Sequence, residues 1–254
     1  MHNEEFAQGN SLIHRLDPRV KIVVVAAFAI IVAVSDKFSP ALAGLCGALI
    51  LLAAARLNLL LVLRRLLIVN LFVLFLWVFL PFTYPGTPFF KIGPLTGTQE
   101  GVRYALMITV KCNTIVIASI ALLSTTTLVT LGHALSHLRV PDKIVHLFFF
   151  TVRYFFVIHE EYLRLKNAMR VRCFRPRTNL HTYRSYAYLV GMLLVGSFDR
   201  SERILAAMKC RGFKSRLYIL DHFVLARRDV VFAAIFASFL IVLGIIQWTQ
   251  IITR

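Results

Sequence analysis

The chain has 254 residues, of which 58% are hydrophobic, and its mean hydropathy is +0.73. This apolar share is far above that of a soluble globular domain, so the composition excludes a soluble protein and predicts an integral membrane protein. The 29 Lys and Arg outnumber the 12 Asp and Glu, but 18 of these basic residues lie in residues 132–228, together with six acids. A basic excess confined to one region is typical of the cytoplasmic side of a membrane protein and speaks against nucleic-acid binding.

Five apolar runs approach the roughly 20 residues that cross a bilayer core. They are residues 22–34, 41–55, 66–82, about 104–123, and 230–248. The first two runs are short. We therefore expect either that the flanking Lys and Arg side chains extend to the membrane interface, or that the bilayer thins locally. We predict an all-α membrane protein with about five transmembrane helices, plus cytoplasmic or interfacial helices between spans four and five.

The connections between these runs differ in charge. Basic residues cluster before the first run, between the second and third, and throughout the segment between the fourth and fifth. All of these clusters lie on one side of the membrane if the N-terminus is cytoplasmic and the number of spans is odd. Residues 85–101 are rich in Gly and Pro, which predicts a loop on the opposite side.

The charge distribution divides the chain into three parts: an N-terminal membrane part (1–125), a cytoplasmic-facing region (126–228) and a final transmembrane helix (229–254). The middle region contains two apolar stretches, residues 144–158 and 186–198, and each continues into charged residues at helical spacing. These patterns predict two helices in or beneath the membrane face whose charged ends project into the cytoplasm. The pairs Glu160–Arg164 and Asp199–Arg203 have the favourable i,i+4 order.

The two charged halves end in nearly the same phrase: AMRVRCF at residues 168–174 and AMKCRGF at residues 207–213. Gly212 would follow the helix cap in a left-handed conformation, as in a Schellman end. In the first copy Cys173 replaces the glycine, and a positive φ is uncommon outside glycine, so the sequence leaves open how that helix ends. The side chains expected to pack at the two helix ends are Met169 with Phe174 and Met208 with Phe213.

Matched helix ends on one basic face indicate more than two good helix termini. Arg172 and Arg211 occupy the same place in the two phrases. An exposed arginine can bind an acidic pocket in bidentate geometry. Two matched ends therefore favour a partner with two like subunits, although each end taken alone is also explained as an ordinary helix terminus.

The two phrases resemble the paired Ala-Arg-Gly motifs of the transmembrane (T) component of energy-coupling factor (ECF) transporters. LDPRVK at residues 16–21, RYFFVIHEEYLRLKNAMRVR at 153–172 and SFDRSERILAAMKCRGF at 197–213 are similar to the same family. The Arg-Tyr and Glu-Glu pairs and the SxxRSER sequence are most similar to the cobalt/nickel branch, the CbiQ-like proteins. The resemblance covers nearly the whole chain.

The resemblance implies a non-catalytic subunit in the cell (inner) membrane of a prokaryote, without a cofactor. Its two coupling helices would dock on a pair of ABC ATPase subunits, and a separate membrane-embedded substrate-binding (S) component would capture the cargo. The residues that would dock are Arg172, Arg211, Val171, Cys173, Cys210 and Gly212. The chain has no GxxxxGK[ST] phosphate-binding loop, so ATP hydrolysis is expected in the partners.

Two further groups have more than one interpretation. Lys111 and Asn113 lie in the fourth apolar run, where an ionised side chain usually faces protein or water. They are candidate contacts with the S component; alternatively, the lysine snorkels to the interface or is paired within the chain. His133 and His137 have i,i+4 spacing, but no Cys or carboxylate joins them at ligand spacing. An amphipathic interface is favoured over a metal site, and the role of the two histidines stays open.

The interpretation is a scaffold subunit that couples ATPase motion to an S component, most consistently for uptake of cobalt or nickel ion. The same role in the uptake of a vitamin such as biotin is an alternative, because the residues that select cargo would lie on another chain. From other classes, an intramembrane enzyme acting on lipid or phosphate substrates would need a catalytic set that cannot be assembled here. A permease working alone would need polar residues along several spans.

Overall fold

The computed structural model describes residues 9, 11–35, 37–92, 95–138, 140–213 and 226–252. Most of the described chain is helical, and the elements in chain order are α1 (Pro18–Val34), α2 (Phe38–Ala55), α3 (Leu59–Thr83), β1 (Pro88–Ile92), β2 (Leu95–Thr98), α4 (Gln99–Leu123), α5 (Leu128–His137), α6 (Asp142–Val171), α7 (Leu180–Cys210) and α8 (Arg227–Ile252). The chain forms two compact units. The first unit is Met1–Leu131 with Phe223–Arg254, and the second unit is Gly132–His222.

The predicted class, an all-α membrane protein, is confirmed. Within the described residues, four helices are long and apolar enough to cross a membrane: α2, α3, α4 and the 21-residue part of α8 from Arg227 to Gln247. Helix α1 has 17 residues, or about 25 Å, against a hydrocarbon core of about 30 Å. A fifth crossing by α1 therefore stays a prediction. The first unit contains both predicted membrane parts, residues 1–125 and 229–254.

Side chains from other elements satisfy the last carbonyl groups of the short helix α1. Lys111 Nζ of α4 donates to Ala33 O at 3.0 Å, and Gln247 Nε2 of α8 donates to Val34 O at 3.2 Å. Backbone groups left without partners in hydrocarbon are costly, and a cation at a helix C-terminus is favoured by the helix dipole. The lysine in the fourth apolar run thus has a structural partner.

The prediction of a loop throughout residues 85–101 is wrong. Strands β1 and β2 pair antiparallel with an irregularity near Pro88, and α4 begins at Gln99. Thr98 caps α4, because its Oγ1 accepts a hydrogen bond from the Gly101 amide at 3.3 Å. A Cβ at Gly101 would lie 2.8 Å from the carbonyl oxygen of Leu80, so this glycine permits close contact between α3 and α4.

The core of the first unit lies around α4, which packs against α1, α2 and α3, while α8 packs against α1 and α2. Phe28 of α1 is 1% exposed, and its ring meets that of Phe236 of α8 edge-on at 5.8 Å between centroids. Small buried residues on α2 and α4, including Ala48 and Ala121, allow the helix backbones to approach closely.

The second unit contains the two helices predicted for the basic region. They are α6 and α7, with 30 and 31 residues. In the middle of α5, the ring of His133 packs edge-on against that of Phe149 of α6, with 5.0 Å between the ring centroids. The apolar and charged halves recognised in the sequence belong to single continuous helices.

Candidate functional site

The helices α6 and α7 pack against each other in antiparallel orientation. Near the start of α6, Phe150 lines a cavity of about 320 Å³ together with Met208 near the end of α7. Near the end of α6, Leu165 lines a cavity of about 880 Å³ together with Leu189 of α7. The start of α6 therefore lies beside the end of α7, and the end of α6 lies beside the start of α7. The C-terminal ends of the two helices are at opposite ends of the pair.

An ion pair joins the two helices between these cavities. Glu161 Oε2 lies 3.9 Å from Arg200 Nη2 and 3.4 Å from Arg164 Nη1. Arg164 therefore pairs with Glu161 rather than with Glu160, the partner expected from i,i+4 spacing. The offset in sequence from Glu161 to Arg200 is the same as the offset between the two repeated phrases. Equivalent positions of α6 and α7 thus meet each other, which indicates a local pseudo-twofold axis near this ion pair.

Helix α6 ends with the two hydrogen bonds of a Schellman motif. The Phe174 amide donates to Met169 O at 3.1 Å, and the Cys173 amide donates to Arg170 O at 3.0 Å. Cys173 has φ +58°, the left-handed conformation that is unusual for a residue with a side chain. The first helix therefore keeps this ending despite the replacement of glycine by cysteine.

Helix α7 ends in the same way. The Phe213 amide donates to Met208 O at 3.0 Å, and the Gly212 amide donates to Lys209 O at 3.0 Å. Gly212 has φ +76°, so glycine meets the need for a left-handed residue without steric cost. Met169 and Phe174 line one cavity beside the first end, and Met208 and Phe213 line another beside the second.

The two ends, which we call the tips, are residues 171–174 and 210–213. Arg172 follows Glu161 by eleven residues, and Arg211 follows Arg200 by eleven residues. At 1.5 Å per residue, each arginine lies about 16 Å along its helix from the ion pair, in opposite directions. Both arginines, both tip cysteines and Gly212 are exposed, and Val171 is 84% exposed. The tips therefore present equivalent groups that are about 33 Å apart along the helix axes.

The cavities beside the two tips differ in the residues that line them. The cavity beside the first tip is lined by four side chains that are or can become positively charged: Arg172, Arg175, Arg177 and His181. The cavity beside the second tip is mostly apolar. The sequence predictions did not include the crossing ion pair, although the offset that it shares with the repeated phrases was a usable signal.

The candidate contacts in the fourth apolar run lie in the first unit, on α4. Asn113 and Asn70 of α3 exchange hydrogen bonds between their side-chain amides, at 2.9 and 3.1 Å. Lys111 is bound to a carbonyl of α1 and is half-buried. These contacts match the interpretation of internal pairing, and a contact with a substrate-binding subunit stays a prediction.

The histidine pair does not form part of a recognisable metal centre in the described portion of the chain. Among the described residues, no three His, Cys, Asp or Glu side chains lie close enough to hold a metal ion. His133 instead contacts an aromatic ring of α6, as noted above. The role of His137 stays open.

The described chain thus combines a unit with helices long and apolar enough to cross a membrane and a unit with an antiparallel helix pair that carries matched arginines at its ends. The family model described as "CbiQ: Cobalt transport protein" matches residues 9–219. The chain therefore belongs to this family, and it is a transmembrane component of the ECF type, which confirms the resemblance found in the sequence.

Individual relatives agree with this assignment. The energy-coupling factor transporter transmembrane protein EcfT of Brevibacillus brevis is 26% identical over 94% of this chain and 96% of the relative. EcfT of Leuconostoc gelidum is 27% identical over 96% of both chains. A protein of Bifidobacterium longum named as an ABC transporter ATP-binding protein is 29% identical over 89% of this chain, which corresponds to 30% of that longer protein.

Proposed function

We propose that this protein is the non-catalytic coupling subunit of an ECF-type importer, and that its two tips dock on two ABC ATPase subunits. The observation that carries the proposal is the pseudo-twofold relation of the tips. Two arginines in equivalent backbone settings, equidistant from one crossing point, fit a partner that presents the same acidic pocket twice. A single binding site would need only one such end.

The comparison with the Bifidobacterium protein supports the proposed partner. In that protein a segment similar to nearly all of this chain lies in a polypeptide named as an ABC transporter ATP-binding protein. Covalent linkage of this kind is expected where the two components act together. A membrane-embedded S component is the third proposed partner, with Lys111 and Asn113 as candidate contacts, and the lipid bilayer surrounds the complex.

The proposed mechanism uses α6 and α7 as levers. Closure of two ATP-bound ATPase subunits would move the tips toward each other. Because each helix is continuous from its tip through the Glu161–Arg200 crossing, a displacement at the tip reaches the opposite end without depending on a flexible joint. We expect this machinery on the cytoplasmic side, with the N-terminus inside, because the charge rule that orients the spans also applies to the basic tips.

The proposed cargo is cobalt ion, with nickel ion as the next choice. The support is the family description, which names cobalt transport. The chain itself is expected to capture no metal, because cargo recognition would belong to the S component. Uptake of radioactive cobalt, nickel and biotin by vesicles containing the complete complex would identify the cargo, and preferential biotin uptake would favour the vitamin alternative.

Charge reversal at the tips tests the docking proposal. The cognate ATPases are co-purified from detergent-solubilised membranes with the wild type and with the Arg172→Glu plus Arg211→Glu variant. The matched control is Arg153→Glu plus Arg184→Glu, which changes the net charge equally at exposed positions, one on each helix, outside the tips and outside the Glu161–Arg200 crossing.

We expect the tip variant to lose the ATPases while it remains inserted and monodisperse, and the control to retain them. The variant should bind the ATPases less tightly because each tip loses a charge-assisted arginine contact, and the introduced glutamate is repelled by the acidic pocket. Equal recovery with the wild type and the tip variant would mean that the tips are only helix ends, and the docking proposal would then be abandoned.

A further inference from the structure

A buried lysine near the start of α1 has no part in the coupling mechanism described so far. Lys21 is 1% exposed, and its Nζ donates to Thr125 Oγ1 at 3.2 Å and to Thr126 Oγ1 at 3.0 Å. The carboxylates of Asp229 and Asp17 are close enough to interact with its charge. A buried ammonium is costly unless its partners are well placed, so a lysine at this position requires an explanation beyond packing.

The partners of Lys21 lie at one end of the segment that forms the second unit. Thr125 and Thr126 connect α4 to α5, just before the chain leaves the first unit after Leu131. Thr125 is 4% exposed, and its hydroxyl also donates to Leu122 O at 2.8 Å. The lysine thus holds the outgoing end against the start of α1.

The returning end is held by the same stretch of α1. The Asp17 amide donates to Asp229 Oδ1 at 2.9 Å, and the Ala226 amide donates to Asp229 Oδ2 at 2.9 Å. Asp229 therefore caps the first turn of α8 and links it to α1 with the two oxygens of one carboxylate. Asp17 in turn caps α1, because its Oδ1 accepts a hydrogen bond from the Arg19 amide at 2.9 Å.

We propose that the Asp17–Lys21 segment is an anchor that holds together both chain ends through which the second unit is attached to the first, and that Lys21 is a positioning residue for coupling. A lever transmits displacement only if its attachment points keep a fixed spacing. The five polar residues of this anchor are Asp17, Lys21, Thr125, Thr126 and Asp229. The hydrogen bonds given above join residues of the first unit, so the anchor is argued without reference to the arrangement of the two units.

A polar anchor suits this task better than apolar packing does. The hydrogen bonds and the charged groups specify one register between three chain segments that are far apart in sequence. Apolar contacts would tolerate sliding, because they lack direction. Fixing a register between packed segments is the best-attested role of buried polar groups. The consequence for coupling rests on the proposed function, whereas the anchoring itself does not.

The anchoring is tested by pulsed dipolar EPR on the full-length chain. Spin labels are attached to Leu128→Cys and Arg228→Cys, two exposed positions that flank the anchor, after the four native cysteines are replaced by serine. Lys21→Met removes the ammonium and keeps the length of the side chain. Ser35→Ala is the matched control, because it removes one buried hydrogen bond, to Val32 O, elsewhere in the first unit.

We expect Lys21→Met to widen the distance distribution at least about twofold, and Ser35→Ala to leave the width unchanged. Equal widths in the two variants would overturn the anchor. If Lys21→Met is not monodisperse, Asp229→Asn is measured instead, since it leaves the lysine in place and leaves one acceptor oxygen for the two amides of Asp17 and Ala226. The same widening is expected, and an unchanged width again overturns the proposal.

The coupling role is tested in the reconstituted complex. Lys21→Met should retain ATPase binding and ATP hydrolysis but lower the cargo transported per ATP hydrolysed by about fivefold or more relative to Ser35→Ala. A merely structural role would lower transport and hydrolysis in proportion, and that result would refute the positioning role. If the wild-type chain recruits no ATPase, the proposed function fails, while the EPR measurement still decides whether the anchor exists.

Discussion

Reversing the charge of Glu161 tests the crossing of α6 and α7, on which the lever mechanism depends. In the structure this carboxylate lies 3.9 Å from Arg200 and 3.4 Å from Arg164. In Glu161→Arg, two attractive contacts become repulsive ones at the point where the two helices meet. The matched control is Glu160→Arg, an exposed neighbour with the same change in charge.

The expected magnitude follows from distance and exposure. The Glu161 and Arg200 side chains are 33% and 30% exposed, so solvent screens the pair, and each contact contributes about 0.5 kcal/mol. Only the Glu161–Arg200 contact joins the two helices, so losing this attraction and adding a repulsion at a similar distance disfavours the crossed state by about 1 kcal/mol. An effect of this size should loosen the helix pair without unfolding either helix, since the i to i−4 hydrogen bonds are not affected.

The native cysteines at the tips make the measurement direct. Cys173 lies twelve residues beyond Glu161, and Cys210 lies ten residues beyond Arg200. Along antiparallel straight helices the backbone positions would be about 33 Å apart. Spin labels on these two cysteines, with Cys46 and Cys112 replaced by serine, should give a single distance peak in wild-type protein by pulsed dipolar EPR.

We expect Glu161→Arg to broaden this peak and Glu160→Arg to leave it unchanged. The reasoning is refuted if the two variants give the same distribution, because the ion pair would then have no part in the crossing. A wild-type peak at half the expected distance or less would refute the antiparallel arrangement itself, since parallel helices would bring the tips together.

Two further outcomes follow from the backbone. Gly101→Ala places a methyl group 2.8 Å from the backbone of α3, so it should destabilise the first unit by about 1–3 kcal/mol. The measurement is the thermal midpoint of unfolding, which should be lower than that of the control Gly244→Ala, where the added methyl group meets open space. Gly212→Ala should speed amide hydrogen exchange at the second tip about fivefold, because an alanine in the left-handed conformation costs about 1 kcal/mol. Conversely, Cys173→Gly should slow amide hydrogen exchange at the first tip, because it removes this cost. Unchanged exchange in both variants would show that neither left-handed residue limits the local stability of its tip.

Several features could be predicted from the sequence because they depend on neighbouring residues. The apolar runs identify membrane helices, since every backbone polar group in a bilayer must be satisfied within the segment. The Schellman end at Gly212 follows from the unique tolerance of glycine for positive φ. Whether α6 also ends in a Schellman motif could not be decided from the sequence, because a residue with a side chain, such as Cys173, rarely adopts a positive φ. The β-hairpin was missed because glycine and proline in residues 85–101 indicate turns more strongly than they indicate short strands.

Composition, periodicity and helix caps are local properties of the chain, and they were enough to predict a membrane protein with two matched helix ends; the family followed from the resemblance of its motifs. Which distant residues meet became known from the packing of the helices. This packing paired Glu161 with Arg200, assigned Lys111 to the end of α1, and brought Lys21 and Asp229 together around the two ends of the coupling segment. These contacts depend on how helices cross and at what register, and many sequences with the same apolar pattern would permit other crossings.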